Sequence, residues 1–274
     1  MPMMHTSTNP VDKQAVRRHF GRRAREYDRY AEVQRAMADA LLERLAAVEE
    51  EPESVWTVLD VGCGTGILTE KLLARYPRAR CIAVDLAEEM LAVARERLGS
   101  SRVWWVCADI EQWAPDEPVD RIVSNATFQW LTDPAGTLQR LAARLAPGGM
   151  LAFATFGPRT FWELDRAFAA AGDREATRRG PIFFAPEAWA AMAEGAGLAV
   201  HEVREAHWRK RYPTVRAFLD AVKRTGASHA PAGPLRANRR TLLGMLEQYE
   251  RLFGEPDGVP ATYHVVWIVA QRAR

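Results

Sequence analysis

Short apolar runs alternate with longer segments of helical periodicity through the first half of the chain. In Val55–Thr69, the residues Val58, Leu59 and Val61 belong to a short, partly β-branched run that predicts a buried strand. A glycine-rich turn follows at 62–66, and leucines then recur at helical spacing. Strand, glycine turn and helix predict the opening of a nucleotide-binding α/β unit, because glycine lets the backbone turn tightly and lets a ligand approach closely.

The same alternation continues beyond this unit. Further strands are predicted at Arg80–Asp85, Val103–Val106, Asp120–Asn125 and Met150–Phe156. Helices are predicted between them at Leu86–Leu98 and Leu138–Leu145, and Pro147-Gly148-Gly149 is expected to break the second helix. Alternating strands and helices are typical of a parallel sheet that carries helices on both faces.

Helical segments flank this alternating core. Val11–Glu50 is expected to form helices that fold back as a lid. After Phe156, helices are predicted at Phe161–Ala171, Pro186–Glu194, Thr214–Val222 and Leu242–Phe253, with strands at Leu198–Arg211 and Thr262–Gln271. The segment between the last two strands is too long for a hairpin, so a substrate cap is expected there. The predicted α/β fold is therefore a Rossmann-like, doubly wound, mostly parallel seven-stranded sheet, with a lid over 1–50, a core over 51–212, a helical cap over 213–260 and a last core strand over 261–274.

Composition narrows the class of protein. The 274 residues, 48% of them hydrophobic, can bury a large core without disulfides or metal. The 37 basic and 35 acidic residues nearly balance, which gives no bulk electrostatic case for nucleic-acid binding. Cys63, Cys81 and Cys107 lack metal or redox spacing, so we expect small buried thiols in a reducing cytoplasm. We also expect no signal peptide in Met1–Pro10 and no membrane-spanning segment.

The glycine turn differs from that of a dinucleotide-binding fold. Gly62, Gly64 and Gly66 have the spacing G-x-G-x-G, whereas dinucleotide folds use G-x-G-x-x-G. Asp60 lies two residues before the first glycine, where its carboxylate would repel a pyrophosphate. A ligand with an ammonium group suits this carboxylate, and S-adenosylmethionine also offers a carboxylate to N–H groups near the following helix. An ordinary tight turn between strand and helix is the alternative.

Three aspartates recur at the ends of successive predicted strands. Asp60 ends the first strand, Asp85 ends the second and Asp109 follows the third. An acidic group at the second position accepts hydrogen bonds from ribose hydroxyls in Rossmann-like folds, and one beside an adenine can accept from its amine. Each aspartate alone could be a helix cap, but their order together with the glycine turn favours a ligand site.

The core resembles the class I S-adenosylmethionine-dependent methyltransferases. The resemblance rests on VLDVGCGTG, Asp85, ADIEQW, NATFQW and LAPGGML, and covers Val55–Phe156. FGRRAREYDRYAEVQRAMADALL, the AVKRTGASH loop and the terminal TYHVVWIVAQR look like the biotin-pathway malonyl-acyl carrier protein O-methyltransferases. These outer segments extend the resemblance over nearly the whole chain.

The resemblance implies a set of residues for S-adenosylmethionine, with no metal. Asp60, Gly62, Gly64 and Gly66 would bind the methionine end, Asp85 the ribose, Asp109 and Ile110 the adenine, and Asn125 would lie near the sulfonium. Leu86 is a further cofactor-binding residue. Tyr27, Gln129 and Trp130 would lie near the transferred methyl group as catalytic residues.

The resemblance also implies an acceptor and a partner. Lys223, His229, Tyr263, His264, Arg239 and Arg240 match substrate positions less closely. An acidic acyl carrier protein would need a basic docking face. One candidate is Arg17, Arg18, Arg22 and Arg23, and another is Lys223, Arg224, Arg236, Arg239 and Arg240. A cytoplasmic monomer is expected, with neither nucleic acid nor membrane as partner. The alternative for each basic cluster is an ordinary solvated surface. The alternative for His229 and His264 is a structural role.

The implied reaction is methylation of the free carboxylate of malonyl-acyl carrier protein, or of malonyl-CoA. The ester masks a charge during synthesis of a pimeloyl unit for biotin. A methyltransferase for another small acid such as trans-aconitate is the alternative. A nucleic-acid methyltransferase and a binding protein without catalysis are less favoured. Trp104 and Trp105 lie in a predicted strand and are expected in the core.

Overall fold

The computed structural model describes residues 11–99, 101–173, 181, 183–225 and 239–274. Within them seven strands form one sheet in the order β3-β2-β1-β4-β5-β7-β6. The strands are β1 (Thr57–Val61), β2 (Arg80–Asp85), β3 (Val103–Cys107), β4 (Val119–Asn125), β5 (Leu145–Phe156), β6 (Leu198–Tyr212) and β7 (Val259–Arg272). Neighbours among β1 to β5 are parallel, and β7 runs antiparallel between β5 and β6. The doubly wound, mostly parallel sheet predicted from the sequence is confirmed.

Helices cover both faces of this sheet. They are α1 (Lys13–Tyr30), α2 (Glu32–Val48), α3 (Ile67–Arg75), α4 (Glu88–Leu98), α5 (Pro134–Arg144), α6 (Trp162–Ala170), α7 (Pro186–Gly195), α8 (Val215–Arg224) and α9 (Arg239–Phe253). One face packs against α5 and α7, with Trp189 fully buried there. The other packs against α2 and α3. Because both faces are covered, the central strands are nearly continuous apolar runs.

The two N-terminal helices have different neighbours. Met37, Leu41 and Leu45 of α2 are fully buried in the cluster that covers the sheet, and the Trp267 indole N–H donates to the Met37 carbonyl at 3.2 Å. Helix α1 instead lies over the glycine turn and the start of α4. Only α1 therefore has the position expected of a lid over a ligand.

Helices α8 and α9 lie between β6 and β7 in the chain, where the cap was expected. They pack with α6 around a separate apolar cluster that includes the buried rings of Phe168, Phe218 and Tyr249. The Tyr249 hydroxyl donates to the Pro260 carbonyl at 2.6 Å, which ties α9 to the start of β7. Helices α8 and α9 therefore share a small apolar core with α6 and the adjoining strand ends.

Three local predictions were wrong. Pro147-Gly148-Gly149 lies inside β5, whose irregular pairing with β4 absorbs it between Val119 and Arg121. Trp104 is 58% exposed, because β3 is an edge strand and this side chain faces outward. Cys107 is also exposed, at the end of the same strand, whereas Cys63 and Cys81 are buried as predicted. Periodicity alone does not reveal which strand lies at the edge of a sheet.

No helix among the described residues is both long and apolar enough to cross a membrane.

Candidate functional site

A cavity opens at the carboxyl ends of β1, β2, β3 and β4, beneath α1. It encloses about 760 Å³ of free space, part of it in the open mouth. The carboxyl edge of a parallel sheet is where such folds bind ligands. The residues of the cavity wall that the argument uses are Lys13, Arg17, Phe20, Tyr27, Gly62, Gly64, Asp85, Leu86, Asp109, Ile110, Asn125, Thr127 and Trp130.

The glycine turn forms one wall of the cavity. At two of its positions a side chain would clash with a neighbour or would require an unfavourable backbone conformation. Gly62 has a φ of +71°, and a Cβ there would lie 2.1 Å from Thr127 Oγ1. Gly64 has a φ of +55° and also lines the cavity. Gly66, at a φ of +86°, lies behind the turn against Leu98 of α4. The first two glycines therefore leave backbone exposed to a ligand, and the third allows close helix packing.

Asp85 at the end of β2 holds this turn in place. Its Oδ2 accepts from the Gly64 N–H at 2.9 Å, and its Oδ1 accepts from the Ala87 N–H at 2.8 Å. Burial raises the pKa of Asp85, although the backbone N–H groups oppose the shift. Each carboxylate oxygen keeps a second lone pair for a ligand. The sequence signal for this residue thus predicted a side chain on the cavity wall.

Asp60 lies beneath the turn and not on the cavity wall. Its side chain is fully buried, and the Thr69 hydroxyl donates to Oδ2 at 2.6 Å. Burial raises the pKa of Asp60 to about 7, with the Thr69 hydrogen bond opposing and Asp85 adding to the shift. Its Oδ1 is buried without a hydrogen-bond partner in the described chain. A buried carboxylate oxygen without a donor is costly, so this atom favours a cationic or N–H-bearing neighbour.

The loop after β3 contributes Asp109 and Ile110 to the wall. The ammonium of Lys13, at the start of α1, lies 3.1 Å from Asp109 Oδ1 and also pairs with Glu111. The sequence analysis did not single out Lys13, because the sequence does not show which acid faces it.

The end of β4 forms the floor. The Asn125 amide donates to the Gln34 carbonyl at 2.9 Å, while its Oδ1 is buried and has no partner among the described residues. Ala126 has a φ of 54°, unusual for a residue with a side chain. Thr127 and Trp130 line the cavity, but Gln129 does not. The Gln129 amide donates to the Ala126 carbonyl at 2.7 Å and accepts from Thr155 at 3.0 Å, so it supports the turn from within.

Aromatic rings close the side of the cavity below α1. Phe20 meets Tyr27 edge-on with 6.2 Å between ring centroids, and meets Trp130 in the same way at 5.9 Å. Burial raises the pKa of Tyr27, and the carboxylates of Asp28 and Asp85 add to this shift. The phenol therefore remains protonated near neutral pH. Phe20 was missed by the sequence analysis, since a phenylalanine in a basic helix gives no specific signal.

Tyr263 and His264 do not line this cavity. The Tyr263 hydroxyl shares a 2.7 Å hydrogen bond with that of Tyr212. His264 Nδ1 accepts from the Arg159 N–H at 3.2 Å, so its Nε2 carries the proton and donates to Glu205 at 2.8 Å. Burial lowers the pKa of His264, with Glu205 opposing. These contacts give both residues structural partners on β6 and nearby loops.

The remaining predicted substrate residues lie on or near the cap. Lys223 is exposed at the end of α8, where its carbonyl lies 2.9 Å from His19 Nε2 of α1. Arg239 and Arg240 are exposed at the start of α9. None of these three lines the cavity. His229 and Arg236 lie outside the described residues.

Comparison with known proteins bears on this site directly. A family model described as a methyltransferase domain matches residues 58–149. The malonyl-acyl carrier protein O-methyltransferase of Anoxybacillus flavithermus is 40% identical over 262 residues, which cover 94% of this chain and 97% of that protein. The protein of the same name from Acetivibrio thermocellus is 38% identical over 272 residues, covering 96% and 95%. The chain belongs to the malonyl-acyl carrier protein O-methyltransferase family.

Solved structures share the fold of this malonyl-acyl carrier protein O-methyltransferase family member. The N-methyltransferase NodS from Bradyrhizobium japonicum, in complex with S-adenosyl-L-homocysteine, superposes with a TM-score of 0.60 at 16% identity, covering 95% of this chain and 100% of that one. The cyclase SpnF gives a TM-score of 0.53 at 18% identity, covering 85% and 80%. At such identities the likeness concerns the fold alone, and a cyclase among the neighbours illustrates why function must be argued from the site.

Family membership confirms the predicted S-adenosylmethionine-dependent carboxyl O-methyltransferase with a class I methyltransferase fold. The cavity suits that methyl donor. Gly62 and Gly64 leave backbone exposed, and the buried Oδ1 atoms of Asp60 beneath the turn and of Asn125 on the floor lack partners in the described chain. Among the described residues no cluster of three or more His, Cys, Asp or Glu side chains is placed to bind a metal ion.

Proposed function

We propose that this chain transfers a methyl group from S-adenosylmethionine to the free carboxylate of malonyl-acyl carrier protein. The proposal rests on curated relatives of that name, which are 37–40% identical to this chain over 94–96% of its length. The product would be the methyl ester used in the synthesis of a pimeloyl unit for biotin. Burying a carboxylate in an apolar tunnel is costly, and esterification removes its charge. Three free thiols fit a reducing cytoplasm, where we place the enzyme.

In this proposal the carboxyl edge of the sheet holds the methyl donor. Asp85 accepts from the ribose hydroxyls, and Asp109 with Ile110 borders the adenine. The methionine end lies against Gly62 and Gly64, and its ammonium is neutralised by Asp60 from beneath the turn. The cavity wall, the glycine geometry and the unpartnered Oδ1 of Asp60 support this orientation.

The transfer needs little acid–base chemistry from the protein. The acceptor carboxylate has a pKa of about 4, so it is already an ionised nucleophile at neutral pH. The donor supplies an electrophilic methyl group on a sulfonium. As the acceptor oxygen bonds to the methyl carbon, the carbon–sulfur bond breaks and sulfur keeps its electron pair, giving a methyl ester and S-adenosylhomocysteine. The neutral phenol of Tyr27 is thus placed to donate a hydrogen bond rather than to remove a proton.

The aromatic wall has a physical role in this step. An anion and a cation combine in the transition state, so water stabilises the separated charges more than it stabilises that state. Phe20, Tyr27 and Trp130 exclude water beside the floor residue Asn125. Gln129 contributes by supporting the strained Ala126 backbone. Positioning in a dry site supplies the remaining acceleration.

The outer face of α1 is our proposed docking surface for the acidic carrier protein. Arg18, Arg22, Arg25 and Arg29 recur at intervals of four, three and four residues, which places them on one helical face, and all four are exposed. We call this set the α1 stripe. It lies opposite the face that lines the cavity. Only Arg25 of the stripe pairs with an acid in the described chain, Glu96 at 3.5 Å between two largely exposed groups.

A transfer assay tests the reaction. Purified protein is incubated with methyl-labelled S-adenosylmethionine and, in parallel, malonyl-acyl carrier protein, malonyl-CoA or trans-aconitate. We expect label in the malonyl thioester, and intact-mass spectrometry of the carrier protein should show the gain of one methyl group. Base hydrolysis should release the label, because the product is an ester. Preferential labelling of trans-aconitate would contradict the proposed substrate and favour the small-acid alternative.

Reversing charge on the α1 stripe tests docking. We expect R18E/R22E to raise the KM for malonyl-acyl carrier protein about tenfold, because complementary charges mainly steer association. The KM for malonyl-CoA should stay the same, since this acceptor lacks the protein surface. R239E/R240E on α9 tests the second basic face in the same way. An unchanged KM in R18E/R22E, measured at low salt, would refute docking on the stripe.

A further inference from the structure

Helix α1 is attached to the core at both ends of the cavity. At the first turn, Lys13 reaches Asp109 and Glu111 beyond β3. Near the last turn, Asp28 Oδ1 accepts from the buried Thr65 hydroxyl of the glycine turn at 2.6 Å, and Arg97 of α4 donates to Oδ2 at 3.0 Å. The other cavity-lining residues of α1 lie between these two attachments. Helix α1 therefore spans the cavity and is held to the core at both of its ends.

The carboxylate of Glu111, which Lys13 contacts, is held in place by several hydrogen bonds. Glu111 is 7% exposed and accepts from the Thr132 N–H at 2.9 Å, the Thr132 hydroxyl at 2.9 Å and the Asp133 N–H. Burial disfavours its ionisation, but the hydrogen bonds from Lys13 and from these backbone groups outweigh burial and lower the pKa of Glu111. Glu111 is therefore charged at neutral pH and held in one position.

Lys13 is the only cationic partner of this carboxylate in the described residues. Its side chain is 23% exposed, as is that of Asp109. An ion pair with one nearly buried member is screened less by solvent than a surface pair. Breaking it leaves the charge of Glu111 with hydrogen bonds but without a counterion, which makes opening at this end costly.

We propose that Lys13 is a positioning residue for the methyl donor: acting through Glu111 and Asp109, it holds α1 closed over the adenosine end of the cavity and limits release of the S-adenosyl ligand. The proposal rests on the proposed function only in taking the cavity as the donor site. Asp28 holds the opposite end. Release of the ligand requires the Lys13 contact to open, because Lys13, Arg17 and Phe20 line the wall above that end.

Product release measures this role without any acceptor. The rate at which S-adenosylhomocysteine leaves the full-length protein is followed by stopped-flow tryptophan fluorescence, since Trp130 lines the cavity. We expect K13M to release the product at least about tenfold faster, because it loses the charge-assisted contacts to both Asp109 and Glu111. K13R should keep the release slow, because it keeps the charge and a donor.

Two further variants separate this role from a general loss of stability. Glu111→Gln should also speed release, by less than K13M because Lys13 keeps its contact with Asp109, and K13M/E111Q should be no faster than K13M, which already removes the Glu111 contact. K71M is the matched control: Lys71 of α3 pairs with Asp39 of α2, away from the cavity, so its release rate should equal that of the unaltered protein. All variants should show the same thermal unfolding temperature within a few degrees.

Release rates of K13M and E111Q that equal the K71M rate would overturn the proposal, as would additive effects in the double variant. A failed transfer to malonyl-acyl carrier protein would leave these rates unaffected, because no acceptor is present. Loss of the proposed substrate and loss of the proposed role of Lys13 are thus distinguished.

Discussion

Replacing Asp85 with alanine is expected to weaken binding of S-adenosylhomocysteine by about 100- to 1,000-fold. The carboxylate has two tasks in the proposed site: it accepts from the ribose hydroxyls, and it fixes the glycine turn through the Gly64 N–H, beside a local hydrogen bond from the Ala87 N–H. Hydrogen bonds to a charged group contribute about 1.5–3 kcal/mol each, and losing the two from the ribose at about 1.5–2 kcal/mol each accounts for an effect of this size. Isothermal titration calorimetry measures the dissociation constant directly.

Asp85→Asn should retain part of this affinity, because its amide oxygen still accepts one hydrogen bond from the turn. Glu88→Ala is the matched control: this acid lies three residues further on, at the start of α4, pairs with Arg95 and does not line the cavity. Its dissociation constant should be unchanged. Wild-type affinity in Asp85→Ala would mean that the adenosine of the ligand does not lie along β2, and the proposed orientation would be wrong.

Replacing Glu49 with alanine is expected to lower the free energy of unfolding by about 3–5 kcal/mol, because two arginines then lose their shared counterion in a nearly buried position. Glu49 follows α2, and its side chain is fully buried. It accepts from Arg121 Nε of β4 at 2.7 Å and from the Tyr76 hydroxyl at 3.0 Å, and also pairs with Arg75. Burial and the Glu49 carboxylate raise the pKa of Tyr76 to about 12, so this hydroxyl remains a donor.

Glu50→Ala is the control one residue away. Its carboxylate pairs with Arg274, but these side chains are 75% and 80% exposed. An exposed pair contributes about 0–1 kcal/mol, so this variant should unfold close to the wild-type midpoint. Urea unfolding followed by circular dichroism compares the two variants. Equal losses from Glu49→Ala and Glu50→Ala would show that the buried cluster does not stabilise the junction of α2 with the sheet.

The sequence predicted the positions of some acidic residues of the candidate site better than those of others. Asp85 and Asp109 follow strands, and the carboxyl ends of parallel strands must meet at one edge, so their place on the cavity wall followed from strand order. Asp60 has the same sequence signal but lies beneath the turn. The apolar run of β1 predicts a buried side chain there, yet it does not show on which side of the glycine turn the carboxylate lies.

Residues on the lid and cap were harder to predict. Lys13 and Asp28 acquire partners at a sequence distance of 96 and 37 residues, in Asp109 and Thr65. Neither contact leaves a local pattern, because the partners meet only when α1 folds back over the sheet. The same holds for Tyr263 and His264 of β7, whose hydrogen bonds to Tyr212 and Glu205 of β6 leave no local pattern.

The sequence by itself determined the sheet, the glycine turn and the class of methyl donor, because strand periodicity, positive-φ glycines and strand-end carboxylates are local features. Tertiary structure alone decided that β3 is an edge, that Gln129 supports the floor from within, and that α1 is fixed across the cavity by Lys13 and Asp28. These features depend on which distant surfaces meet, and burial and charge pairing exist only after they have met.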